Sequence, residues 1–242
     1  MWRAGSAGCG RPSGRARWPR LCRPRGRSRR CPEPAVLAAI NGDLPGHGEL
    51  LWDRLPKRVL PRGSTLGEAW LPKPEAAISA YLAHELSSRL DRRGLAVNRE
   101  VLVRPTDAYG AGDRTDILVE ATIRHDPVHG PIPDRLAVVI EVKGSWNQHL
   151  MIEQRRQLAE RYLPEAQTET GIYLVGWYPL DLWTDASDYR RGRASSHDRD
   201  QLLDALDTQA TSVRADLSVH TTPYLLDVPR PHSRVDEEAN GT

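Results

Sequence analysis

Three charged side chains stand where the apolar pattern of this chain gives out. Glu141-Val142-Lys143 closes an apolar run that begins at Leu136, and the two-residue period of a strand puts Glu141 and Lys143 on one face. An acid and a base side by side on a strand are costly to bury without partners. That face is therefore either a strand end emerging into water with an ion pair across it, or a site. Asp116 opens an earlier apolar run, and a compact sheet can bring the two strand ends together. Asp116, Glu141 and the main-chain carbonyl of Val142 would be the hard oxygen donors that Mg²⁺ or Mn²⁺ prefers. A lysine beside them could orient or deprotonate a metal-bound water and balance charge on a phosphate. Such a set suits phosphodiester hydrolysis.

The elements that must position these residues can be read from periodicity. Pro74 and Glu75 mark a helix start, and Ile78, Tyr81, Leu82, Leu86 and Leu90 recur at helical spacing until Gly94. Val97, Arg99, Val101 and Val103 then alternate as a strand that Pro105 ends. A Gly-rich turn at 109–112 leads into a second strand, Thr115 to Val119, most simply paired antiparallel with the first. Leu136 to Val142, apolar on both faces at first, predicts a central strand. A helix is expected from Trp146 to Leu163, ended by Pro164. Gly171 to Trp177 follows as a fourth, almost wholly apolar strand. A helix over 198–214 and an edge strand within 217–228 complete the pattern.

Asp116 followed by Glu141-x-Lys143, set in this order of elements, resembles the PD-(D/E)XK, or restriction-endonuclease-like, nuclease superfamily. The position before the first Asp, usually Pro there, is Thr115 here. The phrases Val97-Asn-Arg-Glu-Val, Arg114-Thr-Asp-Ile-Leu-Val, Ile140-Glu-Val-Lys-Gly-Ser-Trp-Asn, Gln157-Leu-Ala-Glu-Arg-Tyr-Leu and Gly171-Ile-Tyr-Leu-Val-Gly-Trp are similar to a bacterial subgroup. In that subgroup the nuclease-like domain often ends a longer ATPase or repeat-containing protein. The resemblance covers about residues 70–228. It implies an α/β fold with an αβββαβ core, a mixed central sheet flanked by helices. It also implies a Mg²⁺- or Mn²⁺-dependent DNA endonuclease, with RNA as the other candidate substrate, working in phage defence or DNA maintenance. An ATPase or repeat-protein partner and a homodimer are the assemblies it suggests. The competing expectation is a catalytically silent nucleic-acid- or protein-binding module on the same fold.

Members of the superfamily often carry a further acid on the first helix, for which Glu75 and Glu85 compete. A helix over 75–93 would be about 28 Å long and a strand over 97–104 about 26 Å. If the two pack antiparallel, Glu75 ends near Asp116 and Glu85 lies midway; a first-turn acid favoured by the helix dipole is the alternative for Glu75. Gln157 could face the site, as a glutamine does in some of these nucleases, or be a helix-surface amide. The exonuclease-like signature Gln-x-x-x-Tyr is absent, because four residues separate Gln157 from Tyr162. Trp146 and Asn147 either line a substrate groove or pack and cap the helix.

Other constellations point elsewhere. His125 and His129 have a zinc-compatible spacing, but prolines 127, 131 and 133 make the segment a loop. There is no Gly-x-x-x-x-Gly-Lys phosphate loop. Arg190, Arg191 and Arg193, with Arg155 and Arg156, offer groups for a phosphate backbone, against a default of solvated charge.

The 242 residues carry a formal net charge of +2 that hides an asymmetry. Residues 1–32 hold ten Arg, no Lys and no acid, leaving 24 basic against 32 acidic groups in the other 210, a net of −8. Cys9, Cys22 and Cys31 also fall in that first segment. A thiol-free body has no disulfide scaffold, Cys-ligated zinc or cysteine nucleophile. The expected organisation is a disordered Arg-rich tail (1–34), an irregular Pro- and Gly-containing lead-in (35–72), a nuclease-like domain (73–228) and a loose end (229–242). The tail is either a nucleic-acid arm, a solvated tail or translated sequence upstream of the true start. No apolar run approaches the roughly 20 residues of a membrane span, and a cytoplasmic protein is expected.

Overall fold

The computed structural model describes residues 32–60, 68–91, 94–104, 113–123, 134–194 and 198–231. The Arg-rich segment 1–31, the turn at 109–112, the His125 and His129 loop and residues 232–242 lie outside them.

The stretch expected to be irregular is built into the core. Leu37 and Ile40, at helical spacing, carry helix α1 (Pro32–Asp43) onto the body of the protein, and both are buried, as is Leu44 just beyond it. Short 3₁₀ turns at Leu44–Gly46 and Gly48–Leu50 lead to β1 (Trp52–Pro56), which pairs antiparallel with β2 (Glu68–Pro72). The prolines that suggested irregularity act as punctuation. Pro45 sits in the first turn of a 3₁₀ helix, and Pro56 and Pro72 terminate the two strands, positions where a missing N–H is tolerated.

Helix α2 (Glu75–Leu90) follows, and Gly94, at φ +68°, turns the chain into the main sheet. Its strands are β3 (Leu95–Arg104), β4 (Asp113–Ile123), β5 (Asp134–Gly144), β6 (Thr170–Trp177) and β7 (His220–Asp227), adjacent in that order. The first two pairings are antiparallel and the last two parallel, so the sheet is mixed, with the apolar β5 at its centre and β7 at an edge, as expected. A positive φ of +50° at Glu100 interrupts β3 between the pairs Arg99↔Ile117 and Val101↔Thr115.

Alternation along β5 divides the core. Ile140 and Val142, with Ile117, Ile172 and Leu174, face α2 and the lead-in, meeting Ile78, Leu82, Trp52 and Tyr178. Val139, with Leu118, Tyr173 and Val175, faces the opposite helical layer and meets Leu158, Tyr162, Leu202 and Leu206. Each of these fully buried aliphatic side chains contributes about 1.5–3 kcal/mol. The molecule is thus an α/β fold with a mixed five-stranded sheet and a two-stranded sheet flanked by helices.

The helix between β5 and β6 departs from expectation at both ends. Residues 145–149 form a turn, so helix α3 spans only Leu150–Glu153; it widens to π-helical geometry over Gln154–Tyr162 and resumes as α4 (Leu163–Glu165). Pro164 does not stop it. The return from π to α spacing makes Pro164 a first-turn residue, where its absent N–H costs little. The stop is Gln167, in the left-handed region at φ +54°, with Gln167 N–H donating to Pro164 O and Thr168 N–H to Leu163 O, a Schellman closure. Helix α5 (Arg199–Leu217) then packs beside β7.

Candidate active site

Asp116, Glu141 and Lys143 meet where β4 and β5 run side by side. One step beyond the pair Ile117↔Ile140 puts Asp116 across from Glu141 on the face that carries Leu118 and Val139. The Asp116 Oδ2 accepts a hydrogen bond from Val142 N–H at 2.8 Å, which ties β4 to the end of β5. Burial pushes the Asp116 carboxyl up, partly opposed by the Val142 N–H and by Lys143.

Glu141 is the more extreme case. It is 1% exposed, and burial, reinforced by the Asp116 charge, raises its pKa to about 8 although Lys143 works in the other direction. Its Oε1 lies 2.8 Å from Lys143 Nζ, while its Oε2 is buried with no hydrogen-bond partner among the described residues. Lys143 Nζ also donates to Gln157 Oε1 at 2.9 Å and forms an ion pair with Glu153 Oε2 at 2.8 Å. Burial alone would lower the Lys143 pKa, but the carboxylates of Glu141 and Glu153 outweigh it and hold the ammonium charged.

Glu75 arrives from the other sheet face. As the first residue of α2, its Oε1 accepts from Gly144 N–H at 2.8 Å and from Asn147 Nδ2 at 3.1 Å, one residue past Lys143. Glu85 lies elsewhere and pairs with Arg89, which also holds Asp43. Of the two acids weighed for the first helix, Glu75 is the one that touches the end of β5. Asn147 further accepts from His149 N–H at 2.8 Å, so it both caps the turn and holds Glu75.

The π-helical segment brings Gln157 to Lys143 and joins it to Tyr162. Five residues of α-helix would separate those side chains by about 140° around the axis. The i→i+5 ladder stacks them on adjacent turns, where Gln157 Nε2 donates to Tyr162 Oη at 2.6 Å. The four-residue gap that breaks the Gln-x-x-x-Tyr spacing is thus bridged by the wider helix. Glu153 was not anticipated. Its signal was present in the sequence as an acid one turn before Gln157.

The basic residues expected to hold phosphate are mostly engaged. Arg155 pairs with Glu160 and Asp216. Arg190 pairs with Asp188, donates to Pro72 O and lies over the rings of Trp146 and Trp183. Arg191 donates to Trp183 O and Leu180 O. Trp146, packed against Tyr178 and Trp183 with 8% exposure, is chiefly a packing residue. A cleft of about 870 Å³ opens beside Glu75 and Asn147, bounded across by Tyr189, Arg190 and Arg193; Asp116, Glu141 and Lys143 do not line it.

Among the described residues, no three His, Cys, Asp or Glu side chains converge as a metal-binding group. The donors that suit a hard divalent cation are Asp116 and Glu141. Their mutual repulsion and the unpartnered Glu141 Oε2 are features that such a cation would relieve. No protein-family model, curated protein or solved structure matches the chain significantly. No helix among the described residues is long and apolar enough to cross a membrane.

Proposed function

We propose that this chain is a metal-dependent nuclease of the restriction-endonuclease-like type, hydrolysing phosphodiester bonds in DNA. The observation that carries the reading is the convergence of Asp116, Glu141 and Lys143 at one strand junction, with Glu75 reaching it from the opposite face. The order of helix, three antiparallel strands, helix and parallel strand around that junction supports a restriction-endonuclease-like core. Asp116, Glu141 and the Val142 carbonyl would hold Mg²⁺ or Mn²⁺. When bound, that ion supplies positive charge for the phosphate and the leaving oxygen and lowers the pKa of water. Lys143 orients the attacking water, with Gln157 and Glu153 fixing the direction of its ammonium. Glu75 steadies the end of β5 through Gly144 N–H and Asn147. Water adds to phosphorus, the P–O bond to one strand end breaks, and that oxygen leaves with a proton.

Cleavage of DNA with Mg²⁺ or Mn²⁺ should fall at least a hundredfold in Lys143→Ala and in Asp116→Ala, with circular dichroism confirming that both remain folded. Activity that survives both changes refutes the assignment.

One observation favours a second reading, a non-cleaving binding module. Lys143 is already closed in by Glu141, Glu153 and Gln157, as in a purely structural charge cluster. Thermal stabilisation by Mg²⁺ or Mn²⁺ that disappears in Asp116→Asn supports the nuclease; no shift with either metal supports the module.

A further inference from the structure

We infer that the cleft beside Glu75 holds an unpaired nucleotide, its base stacked on Tyr189 and its phosphate met by Arg193; this rests on the nuclease reading for the position of the cut and deepens it to the form of the substrate. Tyr189 is 71% exposed, the most open of the large hydrophobic side chains among the described residues. The Arg193 guanidinium lies over its ring, 5.0 Å from the centroid. An exposed aromatic ring beside a guanidinium is a sequence-tolerant platform for a base, and a base locked in a duplex cannot reach it.

The neighbouring residues hold this pair in place and leave its charge free. Among the described residues Arg193 has no carboxylate partner. With the Gln148 amide oriented oxygen-first, that neutral group accepts from Arg193 at 2.8 and 3.2 Å. Gln148 follows Asn147, which donates to Glu75. A continuous series of contacts therefore runs from the candidate active site, through Asn147 and Gln148, to Arg193 and Tyr189. The segment itself is pinned by Arg190 and Arg191, whose hydrogen bonds to Pro72 O, Asp188, Trp183 O and Leu180 O fix the loop on which Tyr189 and Arg193 stand.

Of the acids lining the cleft, Asp188 alone is paired with a cation among the described residues. Asp188 is paired with Arg190, Asp185 accepts from Ser187 N–H and Oγ–H, and Glu75 is occupied by two donors. These donors to Asp185 and Glu75 are neutral, so Asp53, Glu75 and Asp185 keep the mouth net acidic around Arg193, and stacking supplies most of the affinity. Single-strand binding should accordingly depend only weakly on salt, with a slope near the roughly 0.7 expected for one released counterion.

The test is fluorescence anisotropy in EDTA, using labelled oligothymidylate, oligouridylate and a DNA duplex of equal length, with the full chain and variants of unchanged thermal midpoint. Tyr189→Ala and Arg193→Ala should each weaken single-strand binding about tenfold, in line with one lost stack or clamp. Tyr189→Phe should stay within twofold of the wild type, and duplex binding should change little. The tighter of the two single strands identifies DNA or RNA as the source. Alanine variants that bind single strands as the wild type does, or that lose duplex binding equally, overturn the subsite. If the wild type shows the expected pattern yet cleaves no nucleic acid with either metal, the subsite stands and the nuclease reading falls. If it cleaves while both alanine variants bind and cleave unchanged, the subsite falls alone.

Discussion

At Glu141 a carboxyl group is sealed from water beside an ammonium, and its pKa still rises to about 8, because desolvation and the Asp116 charge together exceed the attraction of Lys143. The folded state therefore holds this proton more tightly than the unfolded chain, whose glutamate titrates near the ordinary 4.5. By linkage, the Glu141 contribution is most favourable below about pH 4.5 and falls as pH rises to about 8. Urea denaturation should show stability declining through that window. Glu141→Gln, which cannot ionise, should flatten the decline. Millimolar Mg²⁺ or Mn²⁺ should do the same for the wild type if the metal reading holds, because a cation favours the ionised form. A slope unchanged by Glu141→Gln would show that another group governs it. At this scale strand period put Glu141 and Lys143 on one face, the strand start after a Gly turn offered Asp116, the family resemblance joined the three, and simple lengths ranked Glu75 above Glu85. Glu153 escaped because an acid on a helix is ordinarily solvated, and only the packing of that helix over β5 turns it toward Lys143.

Among the elements, the end of β5 and the widened helix after it decide the site. Gly144 gives its N–H to Glu75, and a Cβ built there would come within 2.5 Å of the Trp146 ring. That ring is held by Tyr178, Trp183 and Arg190, so it has little room to retreat. Gly144→Ala should cost about 1–3 kcal/mol in urea unfolding, the usual range for overpacking. A neutral outcome would mean that the Trp146 cluster is softer than its contacts imply. The strands were legible because alternation and apolar runs report burial directly: β3, β4, β5 and β6 begin and end within a few residues of the expected positions. The π-helical turn was not. Its advantage lies in the Gln157 and Tyr162 partners it creates, which no local propensity encodes.

For the molecule as a whole, burial joins the lead-in to the domain expected to begin at residue 73. Leu37, Ile40, Leu44, Leu51 and Trp52 belong to the same apolar cluster as Ile78, Leu82 and Ile140, and Lys73 donates to Glu49 O. A chain beginning at residue 32 should unfold as cooperatively as the full one and keep any cleavage activity, since every proposed site residue lies beyond that point. A chain beginning at residue 73 exposes Ile78 and Tyr178 on the face the lead-in covers, and should show a lowered midpoint and bind hydrophobic dyes. Equal midpoints for the two truncations would show that the lead-in packs only superficially. The charge asymmetry sharpens the same point: most of the arginines outside the first 32 residues for which partners are seen are committed to internal contacts, so net charge says little about affinity for nucleic acid.

By itself, the sequence determined the order and type of the sheet strands and the first helix of the main fold, because hydrophobic period is a local property that survives without knowledge of neighbours. It also placed an acid–base pair on a central strand. Tertiary structure decided between the alternatives the sequence left open at Glu75 and Gln157, added Glu153, and packed the Pro-containing lead-in into the core. These are contacts between residues far apart in the chain, made by packing and by the desolvation of charges, and neither leaves a periodic trace in the sequence.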